Sequence, residues 1–450
     1  MALVVTAPAQ NNAAAPAATG QAATQSSSGT MVVPDAAEVI TPDSRPLTGA
    51  QELTLGSLSR PSFLVPRLHF SELVDTNPAI AGTDTSFTAL STITGDLELQ
   101  RRSRNAELDL QYQGGGAFYA KRNDFSALNQ PNSVFQGIGV SQHLVFGRWS
   151  LLASDEVGYA STGASGLGAA SGLSLGSSGM GSLAGLNTSF LPAQNLLAQT
   201  GSRLSNSAVL EADYRFGPRS SITVTGNYGI LHFPDGSLLD SDQKGVMVGY
   251  NRTLTAHDTI GASYGFTEFG YSNFDTSLRD HTFLMLYGRR VTGRLSLRMA
   301  GGATVVQYQG SVPAESTVSW HAETGLQYRM RATDVSVSYA RAVNGGSGVA
   351  LGANSDVVQG QISRTILRRW AASTGVGYSR NNALNSSFTF STLSVNAGLR
   401  RQIGRYSGID ITYSLQRQSG AVSCLGCGDE SLRHVIGVGF DWGFRPIRLQ

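Results

Sequence analysis

Two cysteines in the segment SCLGCGD are the residues of this sequence best suited to chemistry. Cys424 and Cys427 have the C-x-x-C spacing of a redox pair, of half a zinc site or of a local disulfide. No second cysteine pair and no nearby histidine cluster supports zinc, and no βαβ context supports a thioredoxin-like site. The sequence therefore favours a local disulfide, formed in an oxidising compartment.

The histidines and the glycine-rich stretch give no sign of a catalytic or cofactor-binding site. The seven histidines are scattered along the chain, and none has a recognisable nucleophile beside it. The stretch GLGAASG departs from the G-x-G-x-x-G spacing of dinucleotide-binding proteins. We therefore expect no enzyme, no cofactor and no metal site. A hydrolase would need a serine and a histidine within hydrogen-bond reach on one face.

Ten charged residues alternate with apolar residues and are candidates for the lining of a pore. Because successive side chains of a strand point to opposite faces, these ten would share the face turned away from the apolar set. Their mixed signs predict no sharp ion selectivity. The alternative is a set of cross-strand ion pairs that brace a hydrated wall. The candidates are Glu107, Asp109, Glu211, Asp213, Arg215, Arg298, Glu323, Arg329, Asp410 and Asp441.

The elements that would position these residues are strands, because period two is the periodicity found from about residue 87 to the end. Seventeen alternating segments can be marked in that stretch, separated by connections that are short and long in turn. Such an alternation is typical of an up-and-down antiparallel meander whose two ends meet different surroundings.

Composition narrows the environment of this sheet. The chain has 450 residues, of which only 14% are charged against about 25% in typical soluble domains. A net charge of +2 gives no reason to expect a nucleic-acid partner. No run of about 18 apolar residues could form a membrane-spanning helix. Strands of a membrane barrel alternate and escape such a search, so the composition is compatible with a membrane.

The aromatic residues indicate that the apolar face meets lipid. Trp149, Trp370 and Tyr406 each follow an arginine at a short connection, and Trp442 and Phe444 lie at the matching end of the last segment. Amphipathic rings collect at the headgroup level of a bilayer, so these residues predict one aromatic girdle at the short connections. A second girdle near the long connections would contain Tyr159, Tyr271, Tyr308, Trp320, Tyr339 and Tyr378.

The C-terminal stretch GVGFDWGF resembles the terminal strand of bacterial outer-membrane β-barrels, in which a glycine precedes alternating large apolar residues. The residues that carry the resemblance are Gly437, Gly439, Phe440, Trp442 and Phe444, although a tail, RPIRLQ, follows them. The resemblance implies a bacterial outer-membrane location, contact with outer-membrane lipid, recognition by the barrel-assembly machinery, and short turns that face the periplasm.

The number of strands follows from parity. Seventeen strands would leave the two ends of the sheet on opposite sides of the membrane, whereas bacterial single-chain barrels are almost always even. We therefore expect one more strand over 63–75, where Leu64, Leu68 and Phe70 share a face. The sequence predicts an all-β fold, a transmembrane up-and-down antiparallel β-barrel of 18 strands, with 16 strands as the alternative.

The chain divides into two parts and contains one unusual loop. Residues 1–60 are rich in Ala, Pro, Ser, Thr, Gln and Asn and are expected to be a disordered, low-complexity periplasmic segment. Its start fits either a clipped signal-peptide remnant or an ordinary flexible terminus. Residues 61–450 would form the barrel. The loop over 157–205 carries no charge between residues 157 and 202; it would fold inward to narrow a pore, hang free outside, or contact a partner.

These features predict a porin-like protein, an outer-membrane pore through which small polar solutes or ions diffuse. The alternative is a non-conducting structural or interaction barrel, whose loops or N-terminal segment bind an envelope or surface partner. Either barrel could form a homo-oligomer.

Overall fold

Eighteen long strands form the protein in a computed structural model. The structure describes residues 46–49, 62–76, 87–119, 133–161, 202–235, 238–272, 274–310, 316–346, 350–385, 389–420 and 430–448. None of these residues forms a helix long and apolar enough to cross a bilayer. The strands are β1 (Phe63–Asp75), β2 (Thr88–Arg102), β3 (Ala106–Tyr119), β4 (Ser133–Phe146), β5 (Trp149–Ala160), β6 (Arg203–Gly217), β7 (Ser220–His232), β8 (Ser241–Thr253), β9 (Asp258–Tyr271), β10 (Thr276–Thr292), β11 (Leu295–Gly310), β12 (Ser316–Arg329), β13 (Thr333–Asn344), β14 (Ala353–Leu367), β15 (Trp370–Ala383), β16 (Thr389–Gln402), β17 (Ser407–Ser419) and β18 (Glu430–Gly443).

Each strand pairs antiparallel with the next, and the ladder closes on itself. Strand β1 pairs with β2 on one side and with β18 on the other, from Arg67 opposite Gly443 to Asp75 opposite Val435. The predicted up-and-down barrel of 18 strands is therefore confirmed. The C-terminal tail adds a short strand β19 (Ile447–Arg448), which pairs with Phe63 and Leu64 and lengthens the closure between β1 and the end of the chain.

Pro66 lies inside β1 although both neighbours of that strand are occupied. Proline cannot donate a hydrogen bond to a ladder, so it is normally confined to edges, strand starts or bulges. The backbone oxygen of Pro66 accepts a hydrogen bond from the nitrogen of Phe444 at 3.0 Å, which places this side of Pro66 at the break between β18 and β19. The missing N–H thus falls where the neighbouring strand is interrupted.

The two faces of the sheet differ as the alternation predicts. On β18, Ile436, Val438, Phe440 and Trp442 are 40–54% exposed. The residues between them are Gly437, Gly439 and Asp441, on the opposite face, and all three are buried. The pairing registers with β1 and β17 continue this division, and most outer residues of the barrel are large and apolar whereas most inner residues are small or polar.

The two ends of the barrel differ in the length of their connections. Two residues, Gly147 and Arg148, join β4 to β5, and Phe146 pairs directly with Trp149. Gly147 has a φ of 58°, which is the left-handed conformation that such tight hairpins require and that glycine adopts without strain. We call this end the short-turn rim and the opposite end the long-loop end.

Several predictions fall on parts of the chain outside the described residues. Strand β5 continues to Ala160 and β6 begins at Arg203, so the expected loop over 157–205 is shortened at both ends. Its residues 162–201 lie outside the description, as do both cysteines of the expected disulfide and all of residues 1–60 except 46–49.

Candidate pore and its lining

Residues 46–49 form a tight turn that is held against the polar face of the sheet. The nitrogen of Gly49 donates to the oxygen of Pro46 at 3.1 Å, which closes the turn. The Thr48 nitrogen donates to Asn251 Oδ1 at 2.9 Å, and Asn251 Nδ2 donates to Thr48 Oγ1 at 2.7 Å. Asn251 also donates to Thr223 Oγ1 at 3.1 Å, so one amide on β8 joins the turn to the wall. We call residues 46–49 the lumen turn.

Two glycines make room for Thr48. A Cβ at Gly249 would lie 2.4 Å from the Cβ and Oγ1 atoms of Thr48, and a Cβ at Gly261 would lie 3.0 Å from its Cγ2 atom. Both contacts are closer than ordinary van der Waals distance. Thr48 is 1% exposed, as expected for a residue that packs directly against two residues without side chains.

Leu47 fixes the other side of the same turn. It is 2% exposed and packs in a cluster with Leu286 of β10 and Ala300 of β11. On the far side, the backbone of Gly49 approaches the carboxylate of Glu211 on β6. A four-residue turn can reach strands from β6 to β11 only from the concave side of a curved sheet. The polar face is therefore the inner face of the barrel.

The outer face is consequently the apolar one, and it is widely exposed. Large side chains such as Leu210, Phe283, Met285 and Val318 are 54–71% exposed. Soluble monomers rarely expose apolar patches of more than a few hundred Å², whereas here the apolar set runs around the whole barrel. A closed barrel with an apolar outside and a polar inside is the arrangement that a bilayer requires. The chain is a transmembrane β-barrel of the bacterial outer-membrane type.

Comparisons with known proteins found distant structural likenesses and no sequence relative. No protein-family model matches the chain, and no curated protein matches its sequence. Among solved structures, it is similar to OpdL of Pseudomonas aeruginosa at 11% identity, with 85% of this chain and 99% of that chain covered and a TM-score of 0.42. It is also similar to P. aeruginosa OccK2 (OpdF), solved with glucuronate, at 9% identity, 85% and 98% coverage and a TM-score of 0.44. The ferric-catecholate receptor Fiu of Escherichia coli has 8% identity, 87% and 82% coverage and a TM-score of 0.39. Because these identities and TM-scores are low, the assignment of the chain as a membrane barrel rests on its own geometry.

The ten charged candidates all lie on strands whose register places them on the inner face, and most take part in ion pairs there. Arg298 and Glu323 approach to 3.9 Å across β11 and β12, and the Nε atom of Arg329 lies 2.9 Å from Asp334 Oδ1. Arg215 lies 3.8 Å from Asp213, and Glu107 pairs with Arg102. These contacts fit the braced wall that was the alternative to a pore lining. The pore-lining role of the ten residues stays a prediction.

Asp410 and Asp441 belong to a buried cluster near the closure of the barrel. The Nδ1 atom of His69 on β1 lies 2.7 Å from Asp441 Oδ1 and 3.8 Å from Asp410 Oδ1. An Nη2 atom of Arg400 lies 2.9 Å from Asp441 Oδ2. Gly439 keeps this space open, since a Cβ there would lie 2.5 Å from the His69 ring. The imidazole and two carboxylates have the chemistry of metal ligands, but the guanidinium offsets their charge, and we interpret the cluster as a brace between β16, β17, β18 and β1.

At the long-loop end, two tyrosines lie inside the barrel rather than in an outer girdle. Tyr271 and Tyr308 are 4% and 7% exposed and share a buried cluster with Phe269, Leu278 and Leu351. Their hydroxyl groups donate to the backbone oxygens of Gly345 and Leu351, at 3.3 and 2.7 Å, in the connection between β13 and β14. The prediction that they belong to the second girdle is therefore wrong, because strand register places both on the inner face. Four of the predicted girdle residues do lie on the outer face: Tyr159, Trp320, Tyr339 and Tyr378.

A second buried ion pair near the closure was not predicted from the sequence. Arg433 Nε donates to both carboxylate oxygens of Asp75, at 3.1 and 3.0 Å, and the Nη2 atom lies 2.5 Å from Oδ2. The two side chains are 2% and 0% exposed. The two residues are 358 positions apart. Their alternation places each on the inner face, but only the closed register shows that they meet.

One serine and one histidine lie within hydrogen-bond distance on the same face, which is what a hydrolase would require. His143 Nε2 lies 2.8 Å from Ser150 Oγ, on the inner face beside the short turn between β4 and β5. Ser150 lies within a regular ladder, opposite Val145, so neighbouring backbone N–H groups are engaged in the sheet. An oxyanion hole needs N–H donors directed at the reacting oxygen. The local geometry therefore favours a wall contact over a catalytic pair.

The inner wall is covered unevenly, and this is the feature that bears most on transport. From β4 to β11 most inward residues are buried, including Ser154, Thr225, Asn251 and Thr304. From β12 to β16 most inward residues keep a part of their surface exposed. A Cβ at the inward Gly325 would meet nothing within 4 Å. Among the described residues, the more exposed part of the inner wall therefore runs along β12–β16.

Proposed function

We propose that the protein is a diffusion pore for small polar solutes, with the passage along the inner face of β12–β16. The observation that carries the proposal is the uneven cover of the wall: the lumen turn and the inner aromatic cluster lie mainly against β6–β11, whereas most inward residues of β12–β16 keep a part of their surface exposed. A barrel of 16–18 strands is wide enough to enclose an aqueous channel even when part of the lumen is occupied.

The side chains on the open wall indicate which solutes would pass. They are mainly amides and hydroxyls, which exchange hydrogen bonds with neutral solutes as readily as with water. The nearest charges are of both signs and are paired, as in Arg298 with Glu323, so the wall offers no long single-sign field. Such a wall favours neutral, hydroxyl-rich solutes over strongly charged ones. The wall contains Gln327, Ser336, Ser338, Gln359, Gln361, Ser363, Ser373, Ser394 and Asn396.

Liposome swelling tests the proposal directly. Vesicles that contain the folded barrel are expected to swell in isotonic solutions of small sugars, with rates that fall as the sugar becomes larger. Vesicles that contain the same amount of heat-unfolded protein serve as the control. A barrel that is inserted and folded, but lets no solute through, would rule out the pore.

The second candidate, a non-conducting interaction barrel, draws support from the lumen turn. That turn shows that part of the N-terminal segment enters the barrel and is bound there by hydrogen bonds and apolar contacts. A barrel filled by its own chain would act as a scaffold whose remaining segments bind an envelope partner. Swelling separates the two candidates, since only the pore passes solute.

Assembly in the membrane would use the terminal strand. Phe440, Trp442 and Phe444 face outward and are 40–54% exposed, while Gly437 and Gly439 lie on the inner side. We include recognition of this strand by the barrel-assembly machinery, and a role for outer-membrane lipid around it, in the proposal.

A further inference from the structure

Arginines are concentrated at one end of the barrel. We call the exposed arginines of the short-turn rim the arginine rim. Some lie in the short turns, others are outward residues near the ends of strands, and Arg445 and Arg448 follow the end of β18. The rim consists of Arg101, Arg104, Arg148, Arg219, Arg252, Arg289, Arg294, Arg331, Arg364, Arg368, Arg369, Arg401, Arg405, Arg445 and Arg448.

Acidic residues are distributed the other way. Among the described residues, the most exposed acidic residues are Glu72, Asp155, Asp235 and Asp275, which lie in the half of the barrel toward the long-loop end. Asp334, beside a short turn, has a side chain that is 47% exposed, and it pairs with Arg329. The net charge of the whole chain is only +2. Although the net charge is small, the exposed charges are therefore strongly separated along the barrel axis, with the positive pole at the short-turn rim.

Five rim arginines point outward at the short-turn end of the apolar belt, where outward Val291 and Ile366 follow two of them on β10 and β14. On strands β2, β8, β10, β14 and β16, the outward series of apolar residues meets an arginine near the short-turn rim. Leu97 and Leu99 precede Arg101 on β2, and Val248 and Tyr250 precede Arg252 on β8. The other three are Arg289, Arg364 and Arg401. A side chain at this level meets the headgroups of a bilayer whose acyl chains cover the belt.

Outward aromatic residues lie at the same level as these arginines. On other strands that run toward the same rim, the equivalent outward positions carry Phe146, Phe216 and Trp442, which are 45–54% exposed. Guanidinium groups and rings also meet directly. Arg401 lies over the ring of Trp370, 5.3 Å from its centroid, and Arg405 lies 5.5 Å from that of Tyr406. Aromatic rings and arginines at one level mark the zone where headgroups lie.

From this arrangement we propose that the arginine rim is a binding surface for anionic phospholipid headgroups in the leaflet around the short turns. The guanidinium fork matches two oxygens of a phosphate, and the neighbouring ring covers the glycerol region. The partner is a lipid with a net negative charge, because a zwitterionic headgroup presents its own cation to the arginines. Attraction of this kind weakens as salt screens the surface.

The test uses the tryptophans as reporters. Trp149, Trp370 and Trp442 lie at the short-turn rim, and Trp320 is the one tryptophan near the long-loop end. The barrel is reconstituted with brominated phosphatidylglycerol or brominated phosphatidylcholine, and quenching gives the relative association constant of the two lipids. We expect phosphatidylglycerol to be favoured about fivefold at low salt, with the preference falling toward one at about 1 M salt.

Two matched variants, each with five substitutions, assign the effect to the rim. In the first, Arg101, Arg252, Arg289, Arg364 and Arg401 are replaced by Gln, which is expected to abolish the preference. In the second, Lys244, Arg279, Arg341, Arg380 and Arg417, all outward-facing toward the long-loop end, are replaced by Gln, which is expected to preserve it. If the five simultaneous substitutions prevent folding, the single variant Arg401→Gln replaces them. This variant should lower the preference for phosphatidylglycerol that is reported by Trp370.

Three results would overturn the proposal: no preference in the wild type, a preference that survives the rim substitutions, or an equal loss in both variants. The last would assign the effect to net charge alone. Swelling rates measured on the same vesicles keep this test separate from the pore, since loss of lipid preference with unchanged solute passage bears only on the arginine rim.

Discussion

Replacement of Arg433 by alanine is expected to lower the free energy of unfolding by about 3–5 kcal/mol, because it leaves the Asp75 carboxylate buried without its charged partner. The two side chains are 2% and 0% exposed, and Asp75 lies opposite Val435, which belongs to a buried apolar cluster with Leu73 and Leu90. It also joins β1 to β18 across the closure of the barrel. Urea unfolding in lipid vesicles, followed by tryptophan fluorescence, measures the change.

Two comparisons make this result specific. Arg279 forms an ion pair of the same type with Glu268, at 2.9 Å, but the two side chains are 37% and 31% exposed. Arg279→Ala is therefore expected to cost at most about 1 kcal/mol. The double change of Asp75→Leu with Arg433→Met replaces both charges by apolar groups and should recover most of the lost stability. If Arg433→Ala destabilises the barrel no more than Arg279→Ala, the buried pair is not a main support of the closure.

The second large effect concerns the lumen turn. Gly249→Val would place a branched side chain where Thr48 now lies, since a Cβ at this position already falls 2.4 Å from Thr48. The displaced turn loses its hydrogen bonds to Asn251, worth about 0.5–1.5 kcal/mol each. It also exposes Leu47, whose burial contributes about 1.5–3 kcal/mol. These losses favour the released turn strongly, so single-channel conductance in planar bilayers should rise well above that of the wild type.

Gly226→Val is the matched control for this change. Gly226 lies on the neighbouring strand β7 but faces outward, and a Cβ there would meet nothing within 4 Å. This variant adds the same side chain without touching the lumen turn, and its conductance should equal that of the wild type. Equal conductance in both variants would show that the lumen turn does not obstruct the passage.

Much of the fold could be predicted because a strand in a membrane barrel repeats one simple constraint. Every second residue meets lipid, so the alternation of Ile436, Val438 and Phe440 identifies a strand and its outer face at once. The need for an even number of strands then identified β1 despite Pro66. The break between β18 and β19, which accommodates that proline, depends on the register at the closure, and alternation within one strand does not define it.

The contacts inside the barrel were harder to predict, for the same reason. Alternation shows which face a residue occupies but not which residue it meets across the closure, so Asp75 with Arg433 and His69 with Asp441 were missed. Tyr271 and Tyr308 were assigned by their nearness to loops; a count of positions from Tyr264, which faces outward, would have placed Tyr271 inside. The lumen turn carries no periodic signal, because Thr48 is held by Asn251 and two glycines about two hundred residues away in β8 and β9, and Leu47 packs against residues of β10 and β11.

The most direct test of the pore compares two adjacent residues of β14. Gln361 faces the open wall and Ile362 faces outward with 45% of its surface exposed. Each is changed to cysteine in a background of Cys424→Ser and Cys427→Ser, and a charged, membrane-impermeant thiol reagent is added during single-channel recording. If solutes pass along β12–β16, conductance falls in steps for Gln361→Cys and stays constant for Ile362→Cys. A Gln361→Cys channel that is fully modified by the reagent, as shown by its mass, but conducts as before would contradict a passage along β12–β16.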